Sequence, residues 1–216
     1  MSVITIERKV LEKNDEVAAE LRAMFQKNQT FVLNLLSSPG SGKTTLLEKT
    51  LQHLQDQISV AVIEGDVQTD NDAQRIAKYR VPVVQIVTNG GCHLDALLVR
   101  DAMKNLMLGG VQLLFIENVG NLVCPANYDL GEHKKIVIVS TTEGDDKPIK
   151  YPRMFRVADV CILNKVDLLS YVDFDVSTFH SNAKKINPDL TFIDVSAKTG
   201  AGIPRSEEHT SELQSL

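Results

Sequence analysis

Residues Phe31 to Leu47 constrain this chain more than any other stretch. Six apolar or nearly apolar residues, Phe31 to Leu36, read as a strand buried on both faces of a parallel sheet. Ser-Ser-Pro-Gly-Ser-Gly-Lys-Thr interrupts the run, and an apolar-periodic helix follows from Thr44 to Leu54. Strand, glycine loop, Gly42-Lys43-Thr44 and helix together make a phosphate-binding loop. Gly40 and Gly42 let backbone N–H groups of the loop, through Ser41 and on to Thr45, converge on an anion. Lys43 reaches the terminal phosphates and the Thr44 hydroxyl ligates magnesium. The generic loop begins with glycine, and Ser37 stands there instead.

The rest of the chain supplies a sheet for that loop. Residues 5–28 predict a helix with Val10, Val17, Leu21, Met24 and Phe25 on one face. Further strands are predicted at Ile58–Ile63, Val81–Val87, Leu113–Ile116, Lys135–Ser140, Asp159–Leu163 and Thr191–Val195. Between them lie a helix through Tyr79, capped by Asp70 or Asn71, a helix from Cys92 to about Leu108, and one over Val176–Ile186. Strands alternating with helices predict an α/β fold of the P-loop NTPase type. Its sheet is mostly parallel, with helices on both faces and polar loops at the strand ends.

Those loops carry the candidate chemistry. Asn164-Lys165-x-Asp167 suits guanine, because the Asp167 carboxylate accepts from the ring N1–H and the exocyclic amine together, which adenine cannot offer. The Lys165 stem packs on the base, and Ser196-Ala197-Lys198 forms a second wall. Glu117 at the end of the fourth strand acts on magnesium directly or through water, with Asp66 a second candidate beside it. Where many small GTPases place a water-orienting Gln, this chain has Asn121, one methylene shorter, so turnover should be slow. Lys147 and Lys150 can supply missing positive charge at the nucleotide, or can be solvated surface lysines.

Three cysteines in 216 residues do not make a disulfide framework. Cys161 lies inside an apolar strand and reads as a core residue. Cys92 is placed at a helix start, where the dipole favours thiolate, with His93 beside it and Cys124 four residues beyond Gly120. A soft Cys/His/Cys set suits zinc or nickel; the competing reading is an ordinary pair of cytosolic cysteines in two turns.

Taken together, Ser37–Thr44, Glu64-Gly-Asp66, Gly91-Cys-His-Leu-Asp95, Glu117–Pro125, Glu143–Pro148, Asn164–Asp167 and Ser196–Lys198 resemble the hydrogenase nickel-incorporation GTPases, the HypB family. The resemblance covers roughly residues 5 to 203, and Ser37 fits it. It implies slow, magnesium-dependent hydrolysis of GTP by a homodimer that holds nickel or zinc between subunits around Cys92, His93 and Cys124. The function implied is nickel delivery during [NiFe]-hydrogenase maturation, with a HypA-type accessory protein and the hydrogenase large-subunit precursor as partners. The family pattern makes Leu168 and Val172 apolar dimer contacts. Cys124 and Glu117 share one loop, so GTP and metal binding should strengthen each other. Two other readings are a urease-type accessory GTPase, disfavoured by the placement of Cys-His and Cys-Pro, and an inactive metal-storage or scaffold protein.

A net charge of −5 without a basic block disfavours nucleic acid as a partner. No membrane-spanning run and no signal peptide are visible, so the expected location is the cytoplasm. Residues 1–204 read as one GTPase domain with an N-terminal helix, shortened at its C-terminal end. From Arg205 the polar run RSEEHTSELQSL resembles translated sequencing-adapter DNA, and is expected to be a disordered, non-native tail.

Overall fold

A computed structural model describes residues 6–54, 57–68 and 71–203. Seven strands form one sheet: β1 (Phe31–Ser37), β2 (Val60–Asp66), β3 (Val83–Val87), β4 (Leu113–Glu117), β5 (Lys134–Ser140), β6 (Val160–Asn164) and β7 (Thr191–Asp194). Their order is β3-β2-β4-β1-β5-β6-β7, and every neighbouring pair is parallel. The mostly parallel sheet expected from the sequence is therefore parallel throughout.

Parallel neighbours need crossover connections. Here they include α2 (Lys43–Leu54), α3 (Asn71–Ala77), α4 (Ala96–Met103), the short α5 (Lys147–Lys150), α6 (Pro152–Val157) and α7 (Val176–Ile186). The N-terminal α1 (Ile6–Lys27) precedes the sheet and packs against α4. β1 lies at the centre and shows how both faces are filled. Leu33 and Leu35 join α2 in one core, while Val32 joins α1 and α4, and Leu36 joins α6 and α7, on the opposite side. Asn34 falls between Val32 and Leu36 in that alternation, polar and fully buried.

Several boundaries move. β2 begins at Val60 and runs on through Glu64, Gly65 and Asp66, so these residues lie in the strand and not after it. The larger correction concerns Cys92. The helix after Gly91 starts at Ala96, because the Asp95 carboxylate accepts from the Leu98 N–H at 2.8 Å and caps it there. Cys92 and His93 sit in the bent segment before the helix, which removes the dipole argument for a Cys92 thiolate. That helix also ends at Met103, five residues short of Leu108. In α1, Val17, Leu21 and Phe25 are buried but Val10 is 48% exposed, one turn beyond the contact with α4. Asp70 as a helix cap, and the tail from Arg205, lie outside the described residues. Among the described residues no helix is long and apolar enough to cross a membrane.

Candidate nucleotide and metal site

The loop between β1 and α2 wraps the floor of an open cleft of ≈ 570 Å³ at the carboxyl ends of the central strands. That volume is within the range of small-ligand sites, and the position is where open α/β sheets bind ligands. Gly40 and Gly42 both take positive φ, +77° and +90°, which side-chain-bearing residues rarely adopt. At Gly42 space forbids a side chain as well, since a Cβ would lie 2.6 Å from Asn164 Nδ2.

Across the cleft, Glu117 accepts from Lys43 Nζ at 2.5 Å and from the Thr44 hydroxyl at 2.7 Å through the same oxygen, Oε1. Its other oxygen is buried without a partner, as is Oε1 of Glu64. Glu64 and Glu117 are direct cross-strand neighbours. Burial first, and then the Glu117 charge and hydrogen bond, push the Glu64 carboxyl up to about 10. The raised pKa favours the neutral carboxyl of Glu64, which relieves charge repulsion across this pair. The orphaned Glu117 oxygen beside the Thr44 hydroxyl fits a hard divalent cation, which takes oxygen ligands and whose charge would draw the Glu64 carboxyl back toward its ionised form. Asp66 lines the same cleft, with Oδ1 accepting from the Val67 N–H at 2.6 Å.

The candidate base pocket is stitched to the phosphate loop. Asn164 donates to the Ser41 carbonyl at 2.9 Å and accepts from the N–H groups of Lys165 and Ala197. Lys165 has a left-handed backbone, φ 63°, and its ammonium reaches the Gly40 carbonyl at 2.6 Å. Asp167 accepts from the Ser196 hydroxyl at 2.6 Å. Lys198 is exposed on the same loop as Ser196 and Ala197. Asn164, Lys165, Asp167, Ser196 and Ala197 therefore converge from two strand ends.

Cys92, His93 and Cys124 come together from two loops. Each offers a ligand atom, and these atoms all lie within 4.8 Å of one another. His93 Nδ1 stands 3.5 Å from Cys92 Sγ, and its ring stacks on Tyr128 at 4.0 Å between centroids. Burial lowers the His93 pKa, favouring the neutral imidazole that ligates metals, while the neighbouring Asp95 charge opposes the shift. The Cys92 thiol hydrogen-bonded to Cys124, and then burial, raise the Cys124 thiol above the ordinary cysteine range. Both cysteines are half-buried, whereas Cys161 is fully buried and burial pushes its thiol up further. Cys161 packs in the apolar core.

Some candidates do not assemble. Lys150 pairs with Asp146 at 2.6 Å, exposed and outside the cleft, so it is not brought to the nucleotide loop. Lys147 pairs with Glu143 at 3.3 Å. Asn121 is not aimed at the phosphates: its amide oxygen accepts from the N–H groups of Val123 and Cys124, capping the turn that carries Cys124. Three residues escape the sequence reading. Arg75 lines the cleft from α3, bonded to Thr45 Oγ1 at 3.1 Å and to Glu48 and Asp72. Glu64 is hidden within a strand, and Asn118 has partners 24 and 84 residues away.

An all-parallel sheet with this loop at the end of its central strand defines a P-loop nucleotide-binding protein. Residues 31–194 match the CobW/HypB/UreG nucleotide-binding domain. The chain belongs to that family and, within it, to the HypB hydrogenase maturation factors. It is 56% identical over 203 residues to hydrogenase maturation factor HypB of Azotobacter chroococcum mcd 1, aligning 93% of this chain. It spans only 66% of that relative's length, just under two thirds. Against the probable hydrogenase maturation factor HypB of Methanocaldococcus jannaschii, identity is 42% over 95% of this chain and 93% of the relative. The crystal structure of HypB from Helicobacter pylori in complex with nickel superposes with a TM-score of 0.90 at 40% identity, covering 94% of this chain and 95% of that one.

Proposed function

We propose that this protein is a GTP-hydrolysing metallochaperone that carries nickel or zinc on Cys92, His93 and Cys124 and assists nickel insertion into [NiFe]-hydrogenase. The observation that carries the reading is the meeting of three ligand atoms within 4.8 Å from two loops, one of which, bearing Cys124, follows directly on Glu117 of the phosphate cleft. Three protein ligands leave a position open, as suits a metal that is taken up and passed on and not a structural ion.

In the nucleotide half, the backbone from Gly40 to Thr45 cradles the phosphates, and Lys43 leaves Glu117 for the terminal phosphate oxygens. Thr44, Glu117 and Asp66 would hold magnesium, with Glu64 beside them, and the ion would supply charge neutralisation on the phosphates. Asn164, Lys165, Asp167, Ser196, Ala197 and Lys198 receive guanine. With the Asn121 amide oxygen engaged by backbone, no side chain of that position orients the attacking water, which supports slow turnover. The protein acts as a homodimer promoted by GTP and metal. Val123, 58% exposed beside Cys124, is an apolar contact at the metal face, and Leu168 and Val172 flank the exposed Tyr171 on a second face. Its partners are a HypA-type accessory protein and the hydrogenase large-subunit precursor.

Phosphate release from GTP and from ATP, measured beside nickel binding, tests this. The expected outcome is slow magnesium-dependent hydrolysis that favours GTP, and nickel binding that Cys92→Ala and Cys124→Ala each remove. Nickel binding with no GTP binding would leave a storage protein instead.

A further inference from the structure

The geometry points to Asn118 as the positioning residue through which the nucleotide cleft sets the Cys92–His93 loop. This role presupposes the nickel and GTP binding proposed above. Cys124 is already in the Glu117–Cys124 segment, but Cys92 and His93 arrive on a separate connection, after β3, and need their own link to the cleft.

Asn118 supplies it. The residue follows Glu117 directly and is fully buried. Its side-chain oxygen accepts from the Leu94 N–H and from its own neighbour Val119 N–H, both at 3.0 Å. Leu94 is the residue after His93, so the acceptor that holds it sits one residue from Glu117 and two from Gly120. Gly120 in turn packs on the phosphate loop, where an added Cβ would meet Pro39 N at 3.2 Å. The Leu94 side chain makes a second contact with the cleft: it covers Gly65, between Glu64 and Asp66, so closely that a Cβ there would lie 2.8 Å from Leu94 Cδ1. Leu94 is thus gripped by its amide from β4 and by its side chain from β2, immediately before the cleft residues.

Asn118 also has a fixed point to act against. Its amide group donates to Asn34 Oδ1 at 3.3 Å, and Asn34 donates to Glu132 at 3.1 Å. Glu132 is paired with Lys135 and accepts from the Leu130 N–H at 2.6 Å. Lys135 donates to the Tyr128 carbonyl, and Tyr128 carries the ring that stacks on His93. All of this lies on the α1/α6 face of the central strand, between two apolar cores, where each polar group needs its partner. When Glu117 to Gly120 shift toward bound γ-phosphate, the Asn118 oxygen moves with them and the Leu94 amide follows. The Cys92–His93 pair is thereby set against Cys124.

The test compares nickel affinity with GDP and with a non-hydrolysable GTP analogue in the full chain. Asn118→Leu keeps the volume and removes the acceptor; Asn118→Asp keeps an oxygen for the Leu94 N–H. The expected result is a GTP-to-GDP affinity ratio of roughly 5–150-fold in the unaltered protein, a ratio near one in Asn118→Leu, and retention of the effect in Asn118→Asp. A normal ratio in Asn118→Leu, or equal loss in both variants, overturns the role of Asn118 while leaving the metallochaperone reading intact. Failure of the unaltered protein to bind nickel at all overturns both. A readout that needs no variant is amide hydrogen exchange at Leu94, which should differ between the two nucleotide states and respond to nickel. Identical Leu94 protection in both states overturns the proposal.

Discussion

The nucleotide cleft and the metal-ligand loops lie side by side but are built differently. The cleft is held by strand ends, by side chains locked on backbone, Asn164 on Ser41 and Lys165 on Gly40, and by the Thr44 hydroxyl on Glu117. The metal ligands sit on two irregular segments, half-buried, and their positions depend on borrowed acceptors, Asn118 for one loop and Asn121 for the other. A cleft framed by strand ends needs only local shifts to bind, whereas a site assembled from two loops can respond to whatever moves them. The difference teaches which half should act as sensor and which as load.

Breaking the cleft should have the largest effect. Lys43→Ala removes the ammonium bonded to Glu117 and should cut GTP binding and hydrolysis by roughly 10²–10³-fold, while circular dichroism shows the fold retained. Full activity in that variant would mean the phosphate loop has been misassigned. In the other half, Cys92→Ala and Cys124→Ala should each weaken nickel binding by at least about a hundredfold, more than loss of an outer-shell partner. A nucleotide titration of the same variants should be unaltered, because neither thiol touches the cleft.

The base pocket sharpens the comparison. Asp167→Asn places a donor where guanine presents donors, a mismatch of about 2–3 kcal/mol, or roughly 30- to 150-fold against GTP. Xanthosine triphosphate should be accepted in its place, and unchanged GTP affinity would refute the guanine assignment.

The smallest effect is graded. Metal competes with protons for the thiols, and the Cys124 pKa is raised by its bond to Cys92 and by burial. The Cys124 thiol therefore holds its proton at neutral pH in the absence of metal, while His93, with its pKa lowered, is neutral and ready. Nickel affinity should rise with pH, by about tenfold per unit for each thiol proton displaced, and continue rising above the ordinary cysteine range. A plateau already at pH 7, seen by titration at constant ionic strength, would contradict a protonated Cys124 thiol.

The sequence makes the cleft more legible than the metal loops, and the reasons are physical. A buried parallel strand followed by Gly-Ser-Gly-Lys-Thr is local, and so are Asn164-Lys165-x-Asp167 and the apolar run of each strand. Position within a strand hides more: Glu64 looks like a loop acid until β2 is seen to continue to Asp66 and to set Glu64 against Glu117. The turn at Gly90-Gly91 makes Cys92 look like the start of the next helix. Asp95 is a strong cap three residues downstream of it, and that capping preference wins. Asn121 stands where many small GTPases place a water-orienting Gln, but a short amide two residues before an exposed N–H folds back on its own backbone. No sequence pattern reveals the bonds from Asn118 to Asn34 and to Leu94: the first needs the parallel pairing of β1 with β4, and the second needs the connection after β3 to cross to the end of β4.

The account turns on one claim, that the preformed cleft controls the assembled metal site. Its most direct measurement is nickel affinity of the unaltered protein with GDP and with a non-hydrolysable GTP analogue, followed alongside by sedimentation. Tighter nickel binding with the GTP analogue, by roughly 5–150-fold, together with an equal strengthening of the analogue's own affinity by nickel, is the result expected. Equal nickel affinity in the two nucleotide states would contradict the account and leave two neighbouring sites with no communication between them.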